Sequence, residues 1–323
     1  MRNVQRATSV FLLLSALVAG AAPLAPAVST APVRRDAPTE VASLHDYLAD
    51  VFQGIGSRHF VEGYEEEVEA LGNAAGLARS GRLADARAAA GSSGYQVEEV
   101  HDRAEGRTYA VLREAVPCRM CWGTFVIDLG RGTRNVLVEA PHPKSDLETE
   151  TFGLEAFQGL RATALLVAGT KRDANGQRKT ECAFNPSDMA RNHKSAFMAV
   201  HKSLMRDGAW VLQYHGFTDK AGYPDVVVSD GVERATEGAA PEPGAHLSRL
   251  STELDERGIT AGMYTGGEPF KDLAATCNPV GTQTRAAGGV FVHLEHKPAI
   301  RKSPTSRAKA VEAAEAVLVS RRS

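Results

Sequence analysis

Four side chains with the chemistry of metal ligands or acid–base groups stand at the ends of apolar runs. His142 follows the run NVLVEA at 135–140, and Asp146 lies four residues further along. His215 ends the run WVLQYH, and Glu295 ends the run GVFVHLE. Two imidazoles and one carboxylate can hold zinc while leaving a coordination position for water, and a further carboxylate can take the proton of that water. The residue types therefore predict a hydrolytic zinc site.

These side chains can act together only if the fold carries the ends of their strands to one place. Short β-rich runs alternate with helical stretches at 148–160, 187–206 and 245–257. Apolar runs such as LLVA and VVV are typical of strands buried on both faces, and alternation with helices favours parallel pairing. We therefore predict an α/β fold, a three-layer sandwich with a mixed, largely parallel sheet, whose ligand site lies beyond the carboxyl ends of the strands. The predicted strands are 124–129, 135–140, 164–168, 210–215, 226–229 and 289–295.

The chain divides into five predicted segments. Arg2 and Arg6 precede a ten-residue apolar run and small-residue sites, which is the order of a secretory signal peptide, whereas a membrane span needs about 20 apolar residues. We therefore expect a secreted or periplasmic protein with no membrane segment after signal removal. The segments are a signal peptide at 1–27, a flexible lead-in at 28–40, a small helical N-terminal segment at 41–105, the catalytic α/β domain at 106–302 and a C-terminal helix at 303–323.

The net charge of the chain argues against some classes of binding partner, because it offers no excess of basic residues. The 323 residues carry 37 Lys and Arg against 39 Asp and Glu, for a net charge of −2. Removal of 1–27, which holds two arginines and no acid, makes the mature chain more acidic. No basic field is available to hold a nucleic-acid backbone or an anionic membrane. The expected partner is a small-molecule or peptide substrate, and any attraction for an anionic group must come from a local cluster of charges.

Four cysteines are expected to form disulfides, because export places them in an oxidising compartment. Cys118 and Cys121 form a CxxC, whereas Cys182 and Cys277 stand alone. Three pairings are possible, and the sequence does not choose among them. A zinc site made of four cysteines usually contains a second CxxC, which is absent here. The CxxC of a thioredoxin-like redox motif lies at the start of a helix, whereas this CxxC precedes a predicted strand.

The order of the polar residues along the chain resembles that of the zinc carboxypeptidases and their amidohydrolase relatives, which include N-formylglutamate amidohydrolases and poly-γ-glutamate hydrolases. The resemblance covers about 123–301, and Glu295 is followed six residues later by Arg301, as in the late strand of that group. The residues that carry it are His142, Asp146, Arg172, Arg191, Asn192, His215 and Glu295.

The resemblance implies a zinc ion held by His142, Asp146 and His215, with Glu295 as the general base. The group usually spaces its first histidine and acid by three residues, and position 145 is a serine here. The acid is therefore expected to be Asp146, with Glu148 and Glu150 as rivals for the same role.

The resemblance also implies arginines that bind the substrate carboxylate or polarise the scissile carbonyl. Arg172 is the candidate catalytic arginine, and Arg191 with Asn192 are candidates for substrate binding. A planar guanidinium suits this work because it donates two parallel hydrogen bonds to a carboxylate. Asp188 could orient a histidine ligand or could cap the helix predicted at 187–206.

A secreted zinc-dependent hydrolase that cleaves an amide bond is the function these residues imply. The substrate would be an acyl-amino acid, a γ-glutamyl compound or a peptide with a carboxylate. Water activated by zinc would attack the amide carbonyl as Glu295 accepts its proton. A metal-dependent esterase or phosphoesterase is the alternative among enzymes, since the same chemistry attacks those centres. A non-catalytic secreted binding protein on a hydrolase-like fold is the alternative from another class.

Overall fold

Aliphatic and β-branched runs of the chain pair into one twisted sheet. The structure is a computed structural model that describes residues 37–55, 58–176, 180, 182–234, 242–267 and 269–319. The predicted signal peptide 1–27 and most of the predicted lead-in lie outside these ranges. Among the described residues, no helix is both long enough and apolar enough to cross a membrane.

Ten strands make up the sheet in the described part of the chain, in the order β1-β2-β3-β4-β6-β5-β7-β10-β8-β9. Their bounds are β1 Thr39–Val41, β2 Gln96–Asp102, β3 Arg107–Arg113, β4 Thr124–Asp128, β5 Arg134–Ala140, β6 Ala162–Val167, β7 Trp210–Gly216, β8 Val226–Ser229, β9 Ala261–Met263 and β10 Val290–His296.

The centre of the sheet is parallel and its flanks are mixed. Strands β6, β5, β7 and β10 run side by side in one direction. On one flank β4 pairs antiparallel with β6, and on the other β8 pairs antiparallel with β10. The predicted α/β fold with a mixed, largely parallel sheet is therefore confirmed.

Helices cover both faces of the sheet and enclose two apolar layers. One layer packs α1, α4, α6 and α9 against the sheet through side chains such as Leu48, Phe157 and Leu250. The other layer packs α2, α3 and α5 through side chains such as Leu71 and Phe197. The helix bounds are α1 Leu44–Gln53, α2 Glu65–Arg79, α3 Leu83–Gly91, α4 Thr149–Gly159, α5 Ala196–Leu204, α6 Ala245–Glu256, α7 Pro279–Ala286, α8 Pro298–Lys302 and α9 Pro304–Val319.

The N-terminal part of the described chain belongs to the same sheet as the rest. The predicted helical segment 41–105 supplies α1, α2 and α3, and it also carries β2. The predicted boundary at residue 106 falls in the turn between β2 and β3, which pair antiparallel along their whole length.

The helix predicted at 187–206 begins later than the sequence suggested. Its N-cap is Ser195, whose hydroxyl oxygen accepts a hydrogen bond from Met198 N at 3.1 Å. Residues 187–195 form turns instead, so Ser187 and Asp188 do not cap this helix. Their position in a loop leaves the Asp188 carboxylate available for another contact.

The four cysteines form two disulfides, Cys118–Cys121 and Cys182–Cys277. The expectation of disulfides is confirmed, and a zinc site made of four cysteine thiolates is excluded. The second disulfide ties the loop before α5 to the residue that precedes Asn278, the N-cap of α7.

Leu165 on β6 tests how much of the stability of the domain resides in the central strands. This side chain is fully buried between Val138 on β5 and Val126 on β4. Leu165→Ala should lower the free energy of unfolding by about 2–5 kcal/mol, because it leaves a cavity where neighbouring strands pack. Urea denaturation followed by circular dichroism measures this change. The exposed Val319→Ala should change it by less than about 0.5 kcal/mol, and an equally small effect of Leu165→Ala would contradict the core described here.

Candidate metal centre

Parallel pairing of three neighbouring strands brings the predicted ligands to one edge of the sheet. His215 on β7 and Glu295 on β10 are register partners, so their side chains leave the sheet next to each other. His142 lies two residues beyond the end of β5, which flanks β7 on the other side. The carboxyl ends of β5, β7 and β10 thus meet where a ligand site is expected in an α/β fold.

Three buried donor atoms converge at this edge. His142 Nδ1 and His215 Nδ1 each lie 3.3 Å from Asp146 Oδ2. Ligand atoms about 2.0–2.1 Å from a tetrahedral zinc ion stand about 3.4 Å from one another, so these separations suit a shared metal ion. The side chains of all three residues are at most 5% exposed. Two imidazole nitrogens and a carboxylate are also a donor set that zinc prefers.

Asp146 is the acid that the backbone brings to the two histidines. Its own loop turns back through hydrogen bonds from Ser145 N and Asp146 N to His142 O. The rival Glu150 binds Lys144, with Oε1 3.2 Å from Nζ. The rival Glu148 occupies the N-cap position of α4 in the left-handed region, with φ of 72°. Neither rival joins a group of converging donor atoms among the described residues.

Asp188 orients the His142 ring. Its Oδ1 lies 2.8 Å from His142 Nε2 and also accepts a hydrogen bond from Ala190 N at 3.0 Å. A carboxylate only accepts, so His142 Nε2 donates to Asp188, and Nδ1 is the nitrogen that would face a metal ion held together with Asp146. Carboxylates that hold a metal-binding histidine in this way are common around zinc. Of the two roles considered for Asp188, orientation of a histidine is the one its contacts serve.

The pKa values of the three candidate ligands are shifted in different directions. Although burial opposes charge on all three residues, the two histidines bring the pKa of Asp146 well below its ordinary value. Burial lowers the pKa of His142, but the carboxylates of Asp188 and Asp146 outweigh it and raise that pKa. Burial lowers the pKa of His215 to about 4. Asp146 is therefore an anion at neutral pH, as a metal ligand must be.

Glu295 has the environment of a general base. Burial and the nearby Asp146 carboxylate raise its pKa well above the ordinary value. Its Oε2 is buried and has no hydrogen-bond partner among the described residues. His293 lies on the same face of β10, with Nε2 3.7 Å from Glu295 Oε1, and its ring centroid is 4.3 Å from that of His215. A carboxylate that binds protons readily and has an unused oxygen can accept a proton from a reactant.

Arg172 reaches the same edge from the loop after β6. Its Nη1 lies 3.7 Å from Asp146 Oδ1, and its side chain is 44% exposed. Gly169 lets this loop pass close to the CxxC, since a Cβ atom at Gly169 would collide with the carbonyl oxygen of Cys121. The partly exposed guanidinium of Arg172 therefore lies between the buried candidate ligands and solvent.

The two substrate-binding candidates after Asp188 differ in what their side chains do. Arg191 is half-buried, and its charge helps burial and His215 to lower the pKa of His293. Asn192 is buried, and its amide is engaged by its own loop: Nδ2 donates to Pro186 O at 2.8 Å, and Oδ1 accepts from Lys194 N at 2.8 Å. Arg191 thus lies near the site, whereas the Asn192 side chain supports the loop.

Sequence reasoning missed a set of polar side chains behind the candidate ligands. Gln213 on β7 and Glu139 on β5 are fully buried register partners, and Gln213 lies on the same face of β7 as His215. A polar residue two positions before a strand-end histidine, inside a run that is otherwise apolar, was the available signal. Strand alternation places it behind that histidine.

Comparison with known proteins yields similar folds and no sequence family. No protein-family model and no curated protein sequence matches the chain. A metallo-carboxypeptidase from Burkholderia cenocepacia has 15% sequence identity and a TM-score of 0.38, and the match covers 71% of this chain and 66% of that one. A succinylglutamate desuccinylase from Chromobacterium violaceum has 14% identity and a TM-score of 0.34, and the match covers 68% of each chain.

A metallo-carboxypeptidase from Pseudomonas aeruginosa, in complex with (2-guanidinoethylmercapto)succinic acid, is also similar in structure. It has 16% identity and a TM-score of 0.35, and the match covers 66% of this chain and 60% of that one. The chain spans less than two thirds of the length of either carboxypeptidase. Matches of this extent describe a likeness in chain path, so the function of this chain has to be inferred from its own side chains.

Metal analysis tests the candidate centre directly. Purified protein dialysed against zinc should retain close to stoichiometric metal, measured by inductively coupled plasma mass spectrometry. His142→Ala and His215→Ala should each lose it, because two remaining donors hold zinc poorly. His101→Ala on β2, whose ring contacts Thr108, is the matched control and should retain zinc. Equal zinc in all four proteins would show that the metal binds elsewhere.

Proposed function

We propose that this protein is a zinc-dependent hydrolase that cleaves an amide bond next to a carboxylate. The observation that carries the proposal is the convergence of His142 Nδ1, His215 Nδ1 and Asp146 Oδ2 beside Glu295, a buried carboxylate with a raised pKa. Three protein ligands and a neighbouring base are what metal-assisted hydrolysis requires. His142, Asp146 and His215 would hold the zinc ion.

The residues of the chain have distinct tasks in this reaction. Zinc, when bound, makes water more acidic and polarises a carbonyl. Glu295 Oε2, which has no hydrogen-bond partner among the described residues, accepts the proton of the attacking water and later delivers it to the leaving amine nitrogen. Asp188 keeps the His142 ring in place during the cycle. The deep burial of these groups limits competing water, which strengthens each electrostatic interaction.

Arg172 is positioned to act on the substrate. Its guanidinium lies 3.7 Å from Asp146 Oδ1 and its side chain is 44% exposed, so a substrate at the candidate metal centre could reach it. A cation there stabilises negative charge that develops on the carbonyl oxygen. Arg191, whose charge lowers the pKa of His293, would bind a carboxylate of the substrate. Because both ends of the Asn192 side-chain amide are hydrogen-bonded within its own loop, Asn192 stabilises the loop that carries Arg191.

A basic cavity beside Arg172 supports an anionic substrate. Its volume is about 320 Å³, and its lining includes Arg58, Lys144, Lys171 and Arg172, with one carboxylate, Asp173. Lys144 also forms an ion pair with Glu150. The four cationic side chains still outnumber the carboxylates, so the lining carries a net positive charge. Since the chain as a whole is slightly acidic, this local cluster is the source of attraction for a carboxylate. The acyl-amino acids, γ-glutamyl compounds and peptides expected from the sequence all carry one.

The two disulfides support an oxidising location such as the cell exterior or a periplasm. The signal peptide that would direct the chain there remains a prediction.

Replacement of the candidate base separates chemistry from metal binding. Glu295→Gln should lower kcat by about 10²–10⁴-fold while zinc content stays unchanged, because the amide keeps the shape and loses the proton acceptor. The assay compares N-acyl-amino acids and γ-glutamyl amides with carboxylate and phosphate esters. Glu148→Gln, at the exposed end of the same loop as Asp146, should retain full activity. Undiminished turnover by Glu295→Gln would refute the mechanism, and faster hydrolysis of phosphoesters by the wild type would favour the phosphoesterase alternative.

The basic cavity predicts a change in substrate affinity. Lys171→Met should raise KM for a substrate with an additional carboxylate roughly tenfold, with a smaller effect on kcat, since a charged hydrogen bond that is made equally in ground and transition states is lost. Steady-state kinetics on matched substrates with one and two carboxylates measure it. Lys309→Met removes an exposed charge on α9 and should leave both constants unchanged. Equal KM values for Lys171→Met and wild type on both substrates would exclude the cavity as an anion site.

A further inference from the structure

A buried chain of hydrogen bonds meets His215 on the Nε2 side of its ring, whereas Asp146 lies on the Nδ1 side. His215 Nε2 lies 2.8 Å from Gln213 Oε1, and Gln213 Nε2 donates to Glu139 Oε2 at 2.9 Å. Glu139 and Gln213 are fully buried. Polar groups this deep are costly unless every one is satisfied, so a complete network at this position orders what it contacts.

Asn278 determines which way the Gln213 amide points. As the N-cap of α7, Asn278 uses Oδ1 to accept from Val280 N at 3.0 Å, so its Nδ2 is the atom that donates to Gln213 Oε1 at 2.6 Å. At the other end of the amide, the Glu139 carboxylate accepts from Gln213 Nε2 and faces His201 Nδ1 at 2.7 Å. A donor on one side and an acceptor on the other leave one orientation for Gln213, with its oxygen towards His215.

The orientation of Gln213 determines the tautomer of His215. An amide oxygen only accepts, so the nitrogen that faces it, His215 Nε2, carries the proton. In this tautomer the lone pair is on Nδ1, the atom 3.3 Å from Asp146 Oδ2, and is available to a metal ion that Asp146 would also hold. If the Gln213 amide were reversed, its NH₂ group would favour the proton on Nδ1 and would remove that nitrogen from the ligand group.

We propose that Gln213 is a positioning residue for the metal centre, which together with Asn278 and Glu139 holds His215 in the tautomer that presents Nδ1 beside Asp146. The proposal rests on the proposed function in one respect, that His215 is a metal ligand. On His142 the same task falls to the Asp188 carboxylate. The His215 ring is oriented instead by the neutral amide of Gln213, and Asn278 and Glu139 determine the direction of that amide.

Gln213→Met tests the proposal, because it removes the acceptor with little change in side-chain volume. Zinc affinity, measured by competition with a chromophoric chelator, should fall about 10–100-fold. In the metal-free protein labelled with ¹⁵N-histidine, the Asp146 carboxylate favours a proton on Nδ1. Without the Gln213 acceptor, long-range ¹H–¹⁵N spectra should therefore show the Nε2–H tautomer of His215 replaced by a mixture with the Nδ1–H tautomer. Gln213→Glu combined with Glu139→Gln keeps an oxygen towards His215 and keeps a donor opposite an acceptor between the two side chains. The double variant should restore both the affinity and the tautomer, which a loss of packing alone would not explain.

Thr163→Val is the matched control, because it removes a buried hydrogen bond from Thr163 Oγ1 to Arg134 O at the start of β6. It should bind zinc as the wild type does. If Gln213→Met does not fold, Asn278→Ser replaces it as the test. A serine oxygen still caps α7, whereas the donor to Gln213 is lost, so the tautomer mixture and weaker zinc binding are again expected.

Wild-type tautomer and wild-type zinc affinity in Gln213→Met or Asn278→Ser would overturn the positioning role. The proposed function fails in a different way. If the wild type binds no zinc while Gln213→Met still shifts the tautomer, the metal centre is refuted and control of His215 by Gln213 stands. If the wild type binds zinc and the tautomer is insensitive to Gln213, only the positioning role is refuted.

Discussion

Parallel pairing of β5, β7 and β10 is the constraint on which the candidate site depends. The register that sets Glu295 beside His215 also sets His293 beside Gln213, and Gln213 in turn beside Glu139. A shift of one residue in any of these strands would turn its polar side chains to the opposite face of the sheet. The apolar residues between them, such as Leu212 and Leu294, are buried in the opposite layer, so the hydrophobic effect resists that shift. The same alternation therefore stabilises the fold and aligns the site.

Burial of so many ionisable groups at one edge has a cost, and the contacts among them show how it is offset. Asp146 is held as an anion by the two histidines, and Asp188 and Gln213 each accept from one of their rings. Glu295 is the member whose charge is least compensated, because burial and Asp146 both raise its pKa. Perturbed proton affinities that are pushed in opposite directions within one cluster are a mark of catalytic sites.

The loops around the edge are held by contacts far from the chemistry. The Cys182–Cys277 disulfide joins the loop that leads to Asp188 with the turn before Asn278. Those two residues hold the two histidines, Asp188 directly and Asn278 through Gln213. One covalent link therefore restrains both supports of the candidate ligands.

The fold class and most of the polar residues of the candidate site could be predicted from the sequence. Runs of apolar residues long enough for buried strands identified β5, β7 and β10, and the residues at their ends named His142, His215 and Glu295. These signals are local, since they depend on periodicity and on the type of residue that follows a strand. The same local reading misplaced the start of α5, because Ser187 and Asp188 are good caps in any loop that precedes a helix.

Which of the possible partners come into contact could be seen only in the folded chain. Three acids followed His142 within eight residues, and only the fold of the loop turned Asp146 inward and Glu150 towards Lys144. The fold also forms one of the three possible disulfide pairings. It brings Asp188 into contact with His142, 46 residues away, and Gln213 into contact with Asn278, 65 residues away. Contacts of this separation depend on strand order and register, and these are set by the packing of the whole sheet rather than by any segment of the chain.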